Sequence, residues 1–125
     1  MNKQEMLKSV EKCLSSYGNV DKQILEAMNK IDRKEFVLEA LKEYAYEDNA
    51  LSISEGQTIS QPSTVARMLS LLKLKENDFV LEIGTGSGWN AALIAYLVKQ
   101  GKILSLEIYD ELISEARKNI HKFNY

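Results

Sequence analysis

The sequence predicts an α/β fold in which helices at the amino terminus precede one βαβα unit. Apolar residues recur at helical spacing over residues 3–17 and 21–31. Two runs of mostly consecutive apolar residues, 78–83 and 102–107, are each followed by a segment with helical spacing, as is typical of strands in a parallel sheet. A chain of 125 residues fits one domain, so residues 1–125 are expected to form a single unit.

The amino-terminal half predicts two helices and a long connecting segment. Gly18 and Asn19 lie between the two helical stretches, where glycine and asparagine stop one helix and start the next. Residues 33–61 are charged and bear tyrosines, and they predict a long ordered loop with at most one short helix near Val37 to Glu43. Helical spacing returns at Pro62, which suits the first turn of a helix because no intrahelical partner is needed there.

The carboxyl-terminal half predicts strand 78–83, a helix at about 87–99, strand 102–107 and a helix at about 109–122. Such a unit makes parallel strands joined by a right-handed crossover. The loop after the first strand then lies at the carboxyl edge of the sheet, where ligands bind. The apolar runs also predict that both strands are buried on both faces.

The net charge and the lengths of the apolar runs argue against some classes of partner. Sixteen Lys and Arg residues against eighteen Asp and Glu give a formal net charge of −2, without the basic block of a general nucleic-acid binder. The longest apolar run, Ala91 to Val98, is too short to span a bilayer. We therefore expect a cytoplasmic protein with neither a nucleic acid nor a membrane as partner. The single cysteine, Cys13, is expected to be a buried thiol, and His121 has no neighbouring ligand types, so no metal is predicted.

Three glycines follow the first strand at alternate positions, Gly84, Gly86 and Gly88. The first two permit a sharp turn and close approach of the backbone to a ligand, and the third lets the following helix pack tightly on the strand. The pattern differs from the dinucleotide fingerprint G-x-G-x-x-G, because Trp89 stands where that motif has its last glycine. A glycine turn without a ligand remains the alternative interpretation.

Acidic residues on both strands sharpen this hypothesis. Glu82 precedes the glycines, and Glu107 ends the next strand, where a carboxylate can accept hydrogen bonds from ribose hydroxyls. The combination resembles the motif of class I S-adenosylmethionine methyltransferases, which implies that the chain contains the first βαβα unit of a Rossmann-like methyltransferase sheet. The resemblance implies S-adenosyl-L-methionine as cofactor and these cofactor-binding residues: Glu82, Gly84, Thr85, Gly86, Ser87, Gly88 and Glu107.

A second stretch, GQTISQP at 56–62, makes the resemblance more specific. Together with IDRKEF, AYEDNAL, VLEIGTGSG and SLE in that order, from about Ile31 to Ile120, it resembles the protein-L-isoaspartate O-methyltransferase family. This resemblance implies transfer of a methyl group from S-adenosylmethionine to the carboxylate of isoaspartyl residues in damaged peptides or proteins, as a repair reaction. A methyltransferase acting on RNA or on a small molecule is an alternative, although the sequence lacks a motif of the Asn-Pro-Pro-Tyr kind.

The family resemblance implies that Ser60 lies beside the reacting groups and is the catalytic residue. A neutral hydroxyl can orient a carboxylate without holding its charge as firmly as Lys or Arg would. The alternative is that Ser60 caps the helix that begins near Pro62. Thr58, Ile59 and Gln61 are expected to shape the same substrate loop, and Asp48 in AYEDNAL is expected to hold that loop rather than to react.

The resemblance also predicts that the domain is truncated. Residues 1–60 correspond to a helical amino-terminal region with the substrate loop, and residues 61–125 to part of the cofactor-binding unit. Two parallel strands would leave apolar side chains uncovered and edges unpaired. We therefore expect an incomplete catalytic domain, with a second chain completing the sheet as one possibility and a non-catalytic remnant as another.

Overall fold

The computed structural model describes residues 1–125. Five α-helices and four β-strands follow in the order α1 (Lys3–Ser16), α2 (Lys22–Lys30), β1 (Leu51–Ser52), β2 (Thr58–Ile59), α3 (Pro62–Leu72), β3 (Phe79–Ile83), α4 (Trp89–Leu97), β4 (Lys102–Leu106) and α5 (Asp110–His121). The α/β class is confirmed, and the predicted helices and strands are present, most with ends within a residue or two of their predicted bounds.

The amino-terminal helices begin where local signals place them. The Asn2 side chain accepts a hydrogen bond from the Glu5 backbone N–H, and the Glu5 side chain accepts one from the Asn2 N–H, so the two form a capping box. Asp21 caps α2 by accepting from the N–H groups of Gln23 and Ile24. α1 packs on α2 and α3, and α2 packs on α4, so these helices cover the βαβα unit.

The segment 33–61 is more structured than the predicted loop. It contains three short 3-10 helices, at Arg33–Phe36, Glu39–Tyr44 and Ser54–Gly56. β1 and β2 pair antiparallel, with Leu51 opposite Ile59. Two-residue strands have no periodicity to detect, so the expectation of a loop with at most one short helix was wrong here.

The βαβα unit forms a parallel pair of strands with register Phe79 to Lys102 through Ile83 to Leu106. One face of this sheet packs on the core through Val80 and Ile103. The opposite face is open, since Phe79, Leu81 and Ile83 are 69%, 56% and 81% exposed. The expectation that the strands are buried on both faces is therefore wrong for residues 1–125, because no element of the chain covers the second face.

Twenty buried residues form one hydrophobic core, to which α1, α2, α3, α4 and α5 all contribute. α4 is almost entirely inside it, with Ala91 to Ile94 at most 4% exposed. Cys13 is only half-buried, so the expectation of a buried thiol is wrong. None of the helices is both long and apolar enough to cross a membrane.

Candidate functional site

The glycine loop connects β3 to α4 with a left-handed backbone at each glycine. The φ angles are 95° at Gly84, 56° at Gly86 and 99° at Gly88, values that residues with a Cβ rarely adopt. The N–H groups of Gly84 and Thr85 both donate to the Leu106 carbonyl, over 2.8 and 3.1 Å. The loop is thereby fastened to the end of β4, at the carboxyl edge of the sheet.

The surroundings of the glycines differ. A Cβ at Gly84 would meet nothing within 4 Å, whereas a Cβ at Gly86 would lie 3.4 Å from the Ile53 Cδ1. A Cβ at Gly88 would lie 2.9 Å from the Ile120 side chain and 3.2 Å from the Ala116 side chain. Both of these residues belong to α5. Gly88 thus permits close packing of the glycine loop against α5, whereas the sequence had suggested packing of α4 on the strand.

Glu82 lies at the centre of a polar network in the wall of the site. Its carboxylate accepts from the Ser105 hydroxyl at 2.5 Å and from the Asn90 amide at 2.6 Å. The Thr85 hydroxyl lies 2.5 Å from the same Ser105 hydroxyl. Burial raises the pKa of Glu82, and the nearby charge of Glu107 raises it further, although the two hydrogen bonds oppose both effects.

Glu107 spans the gap between β4 and the glycine loop. One carboxylate oxygen accepts from the Gly86 N–H at 2.9 Å. The other accepts from the N–H groups of Ile108 at 2.9 Å and Tyr109 at 3.3 Å. The carboxylate therefore fixes the loop. Because each ionised oxygen can accept two bonds, Oε1 keeps one lone pair for a further donor, whereas Oε2 already accepts two bonds.

Ser87 carries the one buried hydroxyl of the glycine loop that lacks a partner. The residue is 4% exposed, and its Oγ makes no hydrogen bond within the chain. Its backbone carbonyl accepts from the Asn119 amide at 3.1 Å, which holds the loop to α5. A buried polar atom without a partner is uncommon in native proteins, and a functional role or a bound water or ion is an accepted cause.

One cleft of about 600 Å³ joins the glycine loop to the segment before α3. Thr58, Ile59 and Ser60 line one side, and residues 82–87 line another. Small-molecule sites usually have volumes of about 300–1,000 Å³. The cleft is therefore large enough to hold one cofactor. The structure thus brings the predicted cofactor loop and most of the predicted substrate loop into a single cavity. Gln61, Gly88 and Glu107 do not line it.

Ser60 is exposed in this cleft and does not cap α3. The N-cap residue is Gln61, whose side chain makes no capping bond. Asp48 takes that role from a distance, because its carboxylate accepts from the Ser63 N–H at 2.8 Å. The expectation that Asp48 holds the loop agrees with this geometry, and the capping alternative for Ser60 does not.

Sequence reasoning missed Arg33, which is fully buried. Its guanidinium donates to backbone carbonyls of the 45–49 segment and of Ser60. Burial lowers the pKa of Arg33 to about 10, although the Asp48 charge acts in the opposite direction. An arginine in IDRKEF carries no local sign of burial, since charged residues are mostly exposed.

No group of three or more His, Cys, Asp or Glu side chains is arranged to hold a metal ion. The site is instead built from a glycine loop between a parallel strand and a helix, with acidic side chains on both strands. These features define a Rossmann-like unit of the kind that binds a nucleotide-containing cofactor.

Comparisons with known proteins narrow this class. The family model described as protein-L-isoaspartate(D-aspartate) O-methyltransferase matches residues 1–125. The chain therefore belongs to the protein-L-isoaspartate O-methyltransferase family. A relative from Fervidobacterium nodosum is 52% identical over 106 residues, which are 84% of this chain and 53% of that protein. One from Thermosipho melanesiensis is 53% identical over 111 residues, which are 88% and 56% of the respective chains.

Two solved structures share the fold. A protein-L-isoaspartate O-methyltransferase superposes with a TM-score of 0.80 at 31% identity, over 94% of this chain and 39% of its own. A Plasmodium falciparum protein of the same description, in complex with S-adenosyl-L-homocysteine, gives 0.77 at 25% identity, over 98% and 56%. The chain thus spans about half the length of the curated relatives that it matches.

Proposed function

We propose that this chain takes part in transferring a methyl group from S-adenosyl-L-methionine to the side-chain carboxylate of isoaspartyl residues in damaged proteins, a repair reaction of the cytoplasm. The supporting observation is the single cleft in which Ser60 and the glycine loop both lie. Family membership and a relative that binds S-adenosyl-L-homocysteine agree with this proposal.

The residues present fit the cofactor. Gly84 offers backbone with open space in front of it, and Ser87 offers a buried hydroxyl without a partner. Glu82 and Glu107 place carboxylates on the two strands that flank the loop, and we propose that Glu107 accepts from the ribose. When bound, S-adenosylmethionine supplies an electrophilic methyl group, and its transfer to a carboxylate oxygen leaves a thioether and a methyl ester.

The acceptor side requires orientation rather than a base. A carboxylate with an ordinary pKa of about 3.9 is ionised at pH 7, so no proton has to be removed. We propose that the Ser60 hydroxyl donates to the substrate carboxylate, and that Thr58 and Ile59 form the adjoining wall. Correct alignment of the reacting atoms contributes on the order of 7 kcal/mol or more in favourable cases.

Gln61 has a different proposed role. It begins α3, and its side-chain oxygen accepts from the Thr64 hydroxyl at 3.3 Å. We propose that Gln61 shapes the end of the substrate loop without touching the substrate.

The apolar side chains on the open face of the sheet suggest that another polypeptide segment packs on this face. Phe79, Leu104 and Leu106 are 69%, 50% and 47% exposed, and covering the exposed part of each side chain would contribute roughly half or more of the 1.5–3 kcal/mol that full burial provides. We propose that residues 61–125 are part of a cofactor-binding unit that a further polypeptide completes by packing on this face, while residues 1–60 supply the helical region and substrate loop.

That completion can be tested with the half of the Fervidobacterium nodosum relative that the chain does not match. We expect this half to bind the chain in a calorimetric titration, and Phe79→Lys combined with Leu106→Lys to abolish the binding. Tyr44→Lys is the control, because Tyr44 is also exposed but lies on the 3-10 helix Glu39–Tyr44 rather than on the sheet. Failure of the wild-type chain to bind contradicts the proposed completion.

The methyl transfer is tested in two steps. Calorimetric titration with S-adenosyl-L-homocysteine measures cofactor binding, first on the chain alone and then with the added half. Labelled S-adenosylmethionine then measures methyl transfer to an isoaspartyl peptide, with the L-aspartyl peptide of the same sequence as control. Binding without transfer to the isoaspartyl peptide would favour an RNA or small-molecule substrate, and absence of binding would favour a non-catalytic remnant.

A further inference from the structure

Arg33 connects segments that lie far apart in the sequence. Its Nη1 donates to the carbonyls of Ala45 at 2.7 Å and Glu47 at 3.3 Å. Its Nη2 donates to the carbonyls of Asn49 at 2.8 Å and Ser60 at 3.2 Å. The Nε of Arg33 is buried without a partner, so these four backbone acceptors provide all of the hydrogen bonds that offset the cost of burying the charge.

The other side of the guanidinium faces the start of α4. Its Cζ lies 5.5 Å from the centroid of the Trp89 ring, a distance at which a cation is attracted to the ring face. Trp89 is 2% exposed, and its Nε1 donates to the Ile31 carbonyl at 3.0 Å. The ring is therefore fixed, and it lines the same cleft as Ser60.

The segment that carries Ser60 has little regular secondary structure of its own, although the Ile53 and Ile59 side chains within it are buried in the core. β1 and β2 are two residues long each, and hairpins of this size are at best marginally stable. The turn between them contains Glu55 and Gly56, both with positive φ. Because the Ser60 side chain is exposed in the cleft, its placement depends on bonds made by its backbone.

We infer that Arg33 is a positioning residue that holds Ser60 toward the cofactor side of the cleft, with the Trp89 ring as its fixed support. The role of Ser60 in this inference rests on the methyltransferase function proposed above. The claim that Arg33 holds the loop in place rests only on the hydrogen bonds of its guanidinium. The planar fork of arginine presents donors in several fixed directions. A lysine at the same place has one ammonium nitrogen, which cannot occupy the positions of both Nη1 and Nη2 and so cannot keep all four carbonyl acceptors.

Hydrogen exchange tests the holding without any need for activity. Arg33→Lys and Arg33→Met are compared with Arg67→Lys as control, because Arg67 also stacks on an aromatic ring, that of Tyr17 at 4.0 Å, but does not contact the loop. We expect exchange in residues 45–61 to become faster by at least about tenfold in Arg33→Lys, while exchange in α1 and α2 changes less than about threefold. An equal acceleration over the whole chain, or none, overturns the inference.

Kinetics separate positioning from a general loss of structure. In the assembly that transfers methyl groups, Arg33→Lys should lower kcat by about 10- to 100-fold while the Kd for S-adenosyl-L-homocysteine changes less than about threefold. Equal losses in kcat and in cofactor affinity overturn the inference. If the wild type neither binds S-adenosyl-L-homocysteine nor transfers methyl groups, the proposed function fails, and the exchange of residues 45–61 still decides whether Arg33 holds the loop.

Discussion

The carboxylate of Asp48 accepts two hydrogen bonds from Ser63, one from the backbone N–H at 2.8 Å and one from the hydroxyl at 2.5 Å. Ser63 is the second residue of α3, whose own N-cap residue, Gln61, makes no side-chain capping bond to the helix backbone. A residue 15 positions earlier in the chain thus caps the helix, and the cap fastens the proposed substrate loop, which lies between the two residues.

We expect Asp48→Ala to lower the free energy of unfolding by about 2 kcal/mol, since it removes a helix cap and a charged acceptor of hydrogen bonds. Urea unfolding at pH 7 measures the change. Asp110→Ala serves as control, because Asp110 is exposed in the first turn of α5. Its replacement should lower the free energy of unfolding by about 0.5 kcal/mol, since a favourable interaction with the helix dipole is lost. Equal effects of the two substitutions would contradict the capping role.

Ser60→Ala separates catalysis from stability. Because Ser60 is not the N-cap residue of α3, we expect its replacement to change the free energy of unfolding by less than about 0.5 kcal/mol. In the assembly proposed to transfer methyl groups, kcat for an isoaspartyl peptide should fall by about tenfold or more with unchanged affinity for S-adenosyl-L-homocysteine. Unchanged turnover would show that the serine has no part in the reaction.

Gly84→Ala and Gly88→Ala should have different consequences. Both impose a left-handed backbone on alanine, at a cost of about 1–2 kcal/mol. Only Gly88→Ala also forces a methyl group to within 2.9 Å of the Ile120 side chain, which should add about 1–3 kcal/mol.

Thermal unfolding should therefore show the larger loss of stability for Gly88→Ala. Calorimetry with S-adenosyl-L-homocysteine should show the larger loss of affinity for Gly84→Ala, among the molecules that remain folded. The opposite order of affinities would mean that Gly84 does not face the cofactor, and the opposite order of stabilities would mean that α5 accommodates a methyl group at Gly88.

Glu82→Gln should alter how stability depends on pH. Burial raises the pKa of Glu82 in the folded chain, so between the unfolded pKa, about 4.3, and the raised folded pKa the native state binds more protons than the unfolded state. The free energy of unfolding then decreases as the pH rises through this window. Glutamine does not titrate and should remove this contribution.

Urea unfolding between pH 4 and pH 8 measures this effect. The stability of Glu82→Gln relative to the wild type should increase as the pH rises and then level off above the folded pKa. Glu43→Gln, at an exposed position, controls for the loss of one negative charge. A difference that stays constant with pH would show that Glu82 does not contribute through its proton.

The sequence by itself determined the α/β class, the βαβα unit and the glycine loop, because these depend on local patterns. Helical spacing, Pro62 at the start of α3 and the alternate glycines act over a few residues. The family was likewise visible in GQTISQP and VLEIGTGSG.

Only the tertiary structure decided which side chains those local elements bring together. The bonds of Arg33 span 12 to 27 positions, and the cap of α3 comes from Asp48 rather than from its neighbour Ser60. Both faces of β3 carry apolar residues, yet only the face with Val80 packs on the core. Burial depends on what lies opposite a residue in space, and the pattern along the chain does not contain that information.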